Sequence, residues 1–543
     1  MIRYIYGLTK GFRGRIVLSA SAGIVRVATG LIFVAMSKKA VDIATGSSSG
    51  NLTFCVIGLI SALIVELICS AISNRTIDLS ETKIKNNLQE KLFSRLMMAS
   101  WYGQEKYHSG DLISRLTEDC RVASECLCRT VPTIIISLFQ LIGTFLFLWY
   151  FSPLLAITLL LLLPVFLLAG KAFFMKMRLL TRRIRGIESR LQEKMQESLH
   201  HRILLLTYRH TYRTLKAISS LHNARYSTMR KRIDITTYSR TAIIAGFETG
   251  YLAAFLWGIM GLYKGTVTFG MMTAYLQLAG QIQRPLAELA RLLPGLIHSH
   301  TAFARILEIE RIPIENESSK DDTFMDQQAV GISFNNVSFA YPGNPHPILY
   351  QFNHIFSPGS KTAIMGETGA GKSTLLRLIL ALLKQDEGEI EMFTESGNKE
   401  NIIPVSAATR SRMVYVPQGN SLLSGTIRQN LQIAKPEASE EEMKEALHAA
   451  AADFVYKLKF GLETKCGENG SGLSEGQAQR IAIARGLLKP GSILLLDEIS
   501  ASLDEDTEKI LMQRLSDKAK SHTILIVTHR SAILPYCDDI IRI

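Results

Sequence analysis

A polytopic α-helical membrane domain followed by an α/β nucleotide-binding domain of the P-loop type is the fold class that three observations predict. The mean hydropathy, +0.15, is high for a chain of 543 residues. Apolar residues concentrate before residue 310, in uncharged runs such as Thr130–Tyr150 and Pro153–Gly170. The octet Gly366-Glu367-Thr368-Gly369-Ala370-Gly371-Lys372-Ser373 fits GxxxxGK[ST], the spacing that wraps backbone N–H groups around a phosphate.

A bilayer crossing needs about 20 predominantly apolar residues. Six stretches qualify, at roughly 16–41, 52–74, 130–151, 153–174, 240–263 and 268–293. Only Phe151-Ser152-Pro153 separates the third from the fourth, so those two are expected to form a tight hairpin. The segments 75–129 and 175–239 are long, charged and helical in pattern, and are read as cytoplasmic extensions of the spans. Asp42–Asn51, Phe151–Pro153 and Lys264–Val267 are then short loops on the outer side. The first stretch begins at Arg15 and has no small-residue cleavage site, so it is expected to stay in the mature protein.

The resulting division is 1–310 for the membrane domain, 311–330 for a linker and 331–543 for the nucleotide-binding domain. The linker is marked by the acidic run Asn316–Asp322.

A net charge of +13 and a pI near 9.3 fit cytoplasmic loops lying close to anionic lipid headgroups, and no nucleic-acid partner is expected. Cys120, Cys126 and Cys128 cluster, but no second group at zinc spacing accompanies them, so helix packing is the expectation.

Around the octet, Lys361–Met365 reads as a buried strand and Ser373–Leu380 as the helix that follows. Lys372 would reach the β- and γ-phosphates of ATP, and Ser373 would offer its hydroxyl to Mg²⁺; Thr374 continues the site. Upstream, Ile332–Phe339 alternates as an edge-type strand and leads to Tyr341, an exposed ring expected to stack on adenine. In Ser492–Glu498, four apolar residues read as a buried parallel strand that delivers two carboxylates at its C-terminal end. Asp497 would hold Mg²⁺ through water, and Glu498 would act as general base on the attacking water. A further buried strand, Thr523–Thr528, brings up His529, suited to contact the γ-phosphate.

These elements, in this order, resemble the nucleotide-binding domain of ABC ATPases. Leu473-Ser474-Glu475-Gly476-Gln477 looks like the signature motif of that family, with Ser474 and Gln477 spaced as a capping box. The resemblance implies that Ser474, Gly476 and Gln477 bind the γ-phosphate held by the P-loop of a second copy of the domain. It also makes Gln418 a Q-loop residue touching Mg²⁺, and Ala501–Asp504 a D-loop. Thr464–Gly470 resembles the X-loop, in which Glu468 is expected to contact an intracellular loop. Two departures stand out: Glu475 where the family most often has glycine, and Cys466 in place of valine. Ile543 follows His529 closely, so the usual C-terminal helices are expected to be missing or reduced.

Six spans fused to one such domain resemble an ABC exporter half-transporter of type IV fold. In this comparison Gly110–Asp119 follows the first coupling helix and Glu197–Tyr208 occupies the place of the second. The resemblance implies ATP-driven export or flipping of a substrate by a homodimer or heterodimer, in a membrane most simply placed as the bacterial inner one. Arg26, Glu66, Gln140, Glu248, Gln277 and Gln281 are polar positions within spans. Gln277 and Gln281 share a helix face, which suits either a substrate cavity or a helix–helix hydrogen bond. A competing reading is an ATP-gated channel or membrane regulator that uses the same nucleotide-driven closure. A soluble ATPase would require all the apolar stretches to be core helices.

Overall fold

The apolar runs fold as helices that continue well past bilayer length. In the computed structural model the described residues are 7, 11–101, 103, 107, 109–315, 329–344, 346–367, 369–394, 402–419, 421–467, 472–489, 493–499, 503–518 and 522–543, with backbone alone for 160–174, 290, 293 and 294. Contacts divide the chain into two units, Met1–Ser94 with Ser109–Glu310, and Arg95–His108 with Arg311–Ile543.

The first unit is all helix: α1 Arg13–Ala44, α2 Leu52–Met97, α3 Ser109–Phe151, α4 Pro153–His200, α5 Arg202–Thr207, α6 Thr211–Tyr263 and α7 Phe269–Glu310. Two π-helical turns, Arg115–Asp119 and Cys126–Thr130, interrupt α3. Among the described residues, α1, α2, α3 and α6 are long and apolar enough to cross a membrane. The fourth expected span falls largely on 160–174, outside the described side chains. Helix α7, which carries the sixth, is not among the apolar ones, because Gln277, Gln281, Gln283 and Arg284 interrupt its run.

The expected hairpin forms at Ser152, extended at φ −155°, whose hydroxyl accepts from Leu155 N at 3.4 Å and caps α4. Small residues set the packing. Gly246, Gly250, Ala254 and Gly258 recur every four residues on the buried face of α6, and a Cβ on Gly258 would come within 2.7 Å of Met272 on α7. Gln277 donates to Ser37 on α1 at 3.2 Å, and Gln140 to the Gln281 carbonyl at 3.4 Å, so these amides join helices. Arg26 and Glu66 are half-buried, while Glu248 is exposed. Cys120, Cys126 and Cys128 are buried in helix packing.

In the second unit, an antiparallel sheet of order β2-β1-β4-β5 is built from β1 Val330–Phe339, β2 Leu349–Phe356, β4 Glu387–Thr394 and β5 Ile402–Pro404. β1 is therefore an inner strand, not the edge strand expected: both its flanks are paired, and most of its residues are buried. A parallel sheet of order β11-β3-β10-β9-β6 comprises β3 Lys361–Met365, β6 Met413–Val416, β9 Ile493–Asp497, β10 Thr523–Val527 and β11 Asp539–Arg542. Every residue of β9 and β10 is buried, as central parallel strands require. One apolar cluster, with Leu375, Leu495 and Leu525, joins this sheet to the antiparallel one; another, with Leu447, Ile481 and Leu496, lies under the helices on its opposite side.

Arg95–His108 packs with this unit rather than with the membrane helices among which the sequence division had placed it. The cause is a short pairing: Ala99 bridges Ile314, Ser100 N donates to Pro313 O at 2.9 Å, and Glu315 N to Met98 O at 3.0 Å. The linker residues 316–328 lie outside the described residues.

Candidate functional site

Parallel pairing brings the C-terminal ends of β3, β10, β9 and β6 to one edge of the sheet, the edge where α/β folds bind ligands. β3 runs into the phosphate loop, which ends in helix α8, Lys372–Ile379. Gly371, at φ 106°, caps that helix in the left-handed region, and a Cβ there would stand 2.5 Å from Ile348. Gly369 is also left-handed, at φ 89°, and Ala370 N closes a turn onto the Glu367 carbonyl at 3.1 Å. Thr368 lies outside the described residues. Lys372 is only 6% exposed and donates to the carbonyls of Gly366 and Glu367 at 2.8 and 2.9 Å. A buried cation with only neutral acceptors suits an incoming phosphate. Ser373 is exposed at the helix start, beside buried Thr374.

At the end of β9 the two carboxylates differ. Asp497 is buried and accepts from the Tyr415 hydroxyl at 3.2 Å. Burial pushes its carboxyl above the usual range; the Tyr415 hydroxyl opposes that push, and the neighbouring Glu498 adds to it. Burial, then the charge of Asp497, pushes the Tyr415 phenol up to about 12. Glu498 sits at φ 48°, left-handed backbone for a non-glycine residue. Its two carboxylate oxygens take different partners, Oε2 from Gln418 Nε2 at 2.6 Å and Oε1 with His529 Nε2 at 2.8 Å. Gln418, Glu498 and His529, from three separate segments, thus meet at one carboxylate, Gln418 through a hydrogen bond and His529 through a close N···O contact.

Tyr341 is half-buried rather than exposed; its hydroxyl accepts from Arg377 Nη1 at 3.0 Å and lies 3.5 Å from the Thr374 hydroxyl. Its ring meets Phe339 edge-on at 5.1 Å.

The capping box forms as expected: Gln477 N donates to Ser474 Oγ at 3.2 Å, and Ser474 N to Gln477 Oε1 at 3.0 Å, opening helix α11, Glu475–Leu488 (α9 is Ile427–Gln432 and α10 Glu440–Ala449). Gly476 is buried and Glu475 exposed in the first turn, where a carboxylate complements the helix dipole. From this helix Gln479 donates to the Glu498 carbonyl at 3.2 Å, and Arg485 holds the Ser421 carbonyl at 3.0 Å, three residues beyond Gln418. Asp504 caps the next helix through Thr507 N at 3.0 Å, whereas Ala501 and Ser502 fall outside the described residues, as does Glu468. Cys466 is 3% exposed in the core, where a thiol packs as a small apolar group in place of valine.

Tyr415, Arg377, Gln479 and Arg485 were missed from sequence. Tyr415 alone carried a signal, a hydroxyl inside the apolar strand Met413–Val416 just ahead of Gln418.

The family described as ABC transporter transmembrane region matches residues 15–286, and that described as ABC transporter matches 349–501. The chain belongs to the ABC transporter family. It is an exporter half-transporter, one membrane region fused to one ATPase domain, and it couples ATP hydrolysis to export or flipping of a substrate across the membrane. An ATP-dependent lipid A-core flippase of Salmonella typhimurium is 28% identical over 544 residues, covering 98% of this chain and 90% of the relative. The Escherichia coli K12 protein of the same description is 28% identical over 550 residues, with the same coverage. A bacterial Atm1-family ABC exporter with ATP bound shares the fold at a TM-score of 0.79 and 23% identity, covering 98% of this chain and 94% of that one.

Proposed function

We propose that two copies of this ABC half-transporter form a homodimer that flips an amphiphilic lipid across a bacterial inner membrane. The observation that carries the reading is the convergence of Gln418 and His529 on the Glu498 carboxylate beside an intact phosphate loop in one chain. A chain with every catalytic group of its own needs no different partner to complete its half of each site. The lipid cargo is supported by the flippase descriptions of the relatives.

In this reading Glu498 is the general base, oriented by Gln418 and His529, and His529 also contacts the γ-phosphate. Tyr341 stacks on adenine; Gly366 through Thr374 wrap the phosphates, and Lys372 exchanges its loop carbonyls for phosphate oxygens. The oxygens of Ser373, Gln418 and Asp497 fit Mg²⁺, a hard cation that keeps several waters and is shared with substrate phosphates. Bound there, Mg²⁺ would neutralise charge on the β- and γ-phosphates. Ser474, Gly476 and Gln477 serve the site of the partner copy. The short helix α5 exposes Ile203 (82%) and Tyr208 follows it at 75%, an apolar face suited to the partner's ATPase domain.

The decisive measurement is inward-facing ATPase in proteoliposomes carrying a fluorescent lipid A-type glycolipid. ATP should drive the lipid to an asymmetric distribution, and Glu498→Gln should abolish the asymmetry. A leak that equilibrates the lipid on ATP binding, without asymmetry, would establish the gated-channel reading instead.

A further inference from the structure

Arg377 touches two aromatic residues at once. It lies on α8, five residues beyond Lys372, and is half-buried. Its Nη1 donates to the Tyr341 hydroxyl at 3.0 Å, and its guanidinium lies over the Trp101 indole, 4.7 Å from the ring centroid. A planar guanidinium satisfies both partners together, stacking by its face and donating from its edge. An ammonium has no such face.

Trp101 is itself held at a second point. Its backbone N–H donates to Glu315 Oε1 at 3.4 Å, and Glu315 forms an ion pair with Arg410. Arg410 in turn donates to the carbonyls of Leu380 and Ala381, at 2.6 and 2.8 Å, just past the last turn of α8. The phosphate-loop helix is therefore gripped in its last turn through the Arg377–Trp101 stack and just past its C-terminal end through Arg410. Trp101 belongs to Arg95–His108, the stretch that runs in the chain from α2 to α3. It also packs on the same apolar cluster as Tyr341.

We propose that Arg377 is a positioning residue that sets the Tyr341 ring for adenine and transmits its seating to Trp101 in the segment leading into α2 and α3. This rests on the reading of Tyr341 as the adenine-stacking ring. Arg377 reaches no phosphate in this role; it acts on affinity for the base and on the seating of Trp101.

The test uses the full chain reconstituted in lipid. Trp149 and Trp257 are the other two tryptophans, so Trp149→Phe with Trp257→Phe leaves Trp101 as the sole indole reporter. In that background ATP should change Trp101 emission. Arg377→Met should raise KM for ATP about tenfold, the loss of one charged hydrogen bond and one stack, with kcat within about twofold. It should also abolish the emission change at saturating ATP. Arg377→Lys, which keeps a donor for Tyr341 but no planar face, should recover part of the KM and none of the emission change. Unchanged KM and emission in Arg377→Met, or a fall in kcat that accounts for the whole effect, would overturn the proposal. Should Arg377→Met not fold, Arg377→Lys decides through the emission change alone. Tyr341→Ala separates the underlying reading: an unaltered KM in that variant removes the adenine role itself, whereas a raised KM there with a silent Arg377→Met removes only the relay.

Discussion

Glu498 leaves β9 at φ 48°, a conformation that costs a side chain with a Cβ roughly 1–3 kcal/mol. The surroundings hold it there: its N–H donates to Val527 O at 3.0 Å, its carbonyl accepts from Gln479, and both carboxylate oxygens are engaged. The general base proposed here needs a fixed direction, and the turn supplies one. A different residue shows how burial couples this domain to pH. His354 on β2 is held below its ordinary pKa by burial, with Asp539, 3.4 Å away, opposing the shift. A depressed folded-state pKa means that the stability it confers is present above the unfolded value, about 6.5, and is lost as pH falls through the folded one. His522 is depressed by burial too and adds in the same direction. Chemical denaturation of the second unit should therefore show stability falling on the acid side of pH 6.5, more gently in His354→Phe. An identical acid slope in the variant would contradict the assignment.

At the scale of an element, α11 begins with the same chemistry as α10. Ser474 with Gln477 and Ser439 with Glu442 are both complete capping boxes. Replacing either serine by alanine should cost about 1 kcal/mol of stability, the typical loss of an N-cap. Only Ser474→Ala should also lose ATP hydrolysis, because the proposed site uses that cap alone of the two. Thermal melts and steady-state turnover of the two variants separate the structural contribution from the functional one; equal turnover in both would remove Ser474 from the site. The elements also mark how far the sequence could be read. Lys361–Met365, the β9 carboxylate strand and the Ser474 cap were legible because each depends on local spacing and short-range hydrogen bonds. β1 was misjudged as an edge strand because pairing with β4 depends on a segment more than 50 residues away.

For the whole molecule, the proposed composite ATP site would make hydrolysis and assembly inseparable. Glu498→Gln should keep ATP affinity while turnover falls by about 10²–10⁴-fold, the usual worth of a general base. ATP-bound dimers should then accumulate on size-exclusion chromatography or by crosslinking. Unchanged steady-state hydrolysis would show that the base lies elsewhere. The helical unit shows the reverse balance between local and distant causes. Its spans are legible as apolar runs, yet whether Gln277 and Gln281 faced a cavity or a neighbour was undecidable from one face of one helix. The Gln277 amide donates to Ser37 on another helix, whereas Gln281 takes part through its backbone carbonyl, which accepts from Gln140.

By itself the sequence determined the fold class, the order of its parts and the phosphate-binding loop, because hydropathy, glycine spacing and capping act over a few residues. Tertiary structure alone decided that Arg95–His108 packs with the ATPase unit and that Tyr415, Arg377 and Trp101 stand at the site. It also decided that Gln418 and His529 converge on the Glu498 carboxylate. Those contacts span about 30 to nearly 300 positions in the chain: the register of β6, β9 and β10 in one sheet gathers Tyr415, Gln418, Glu498 and His529, and the pairing of Ala99 with Ile314 holds the stretch that carries Trp101.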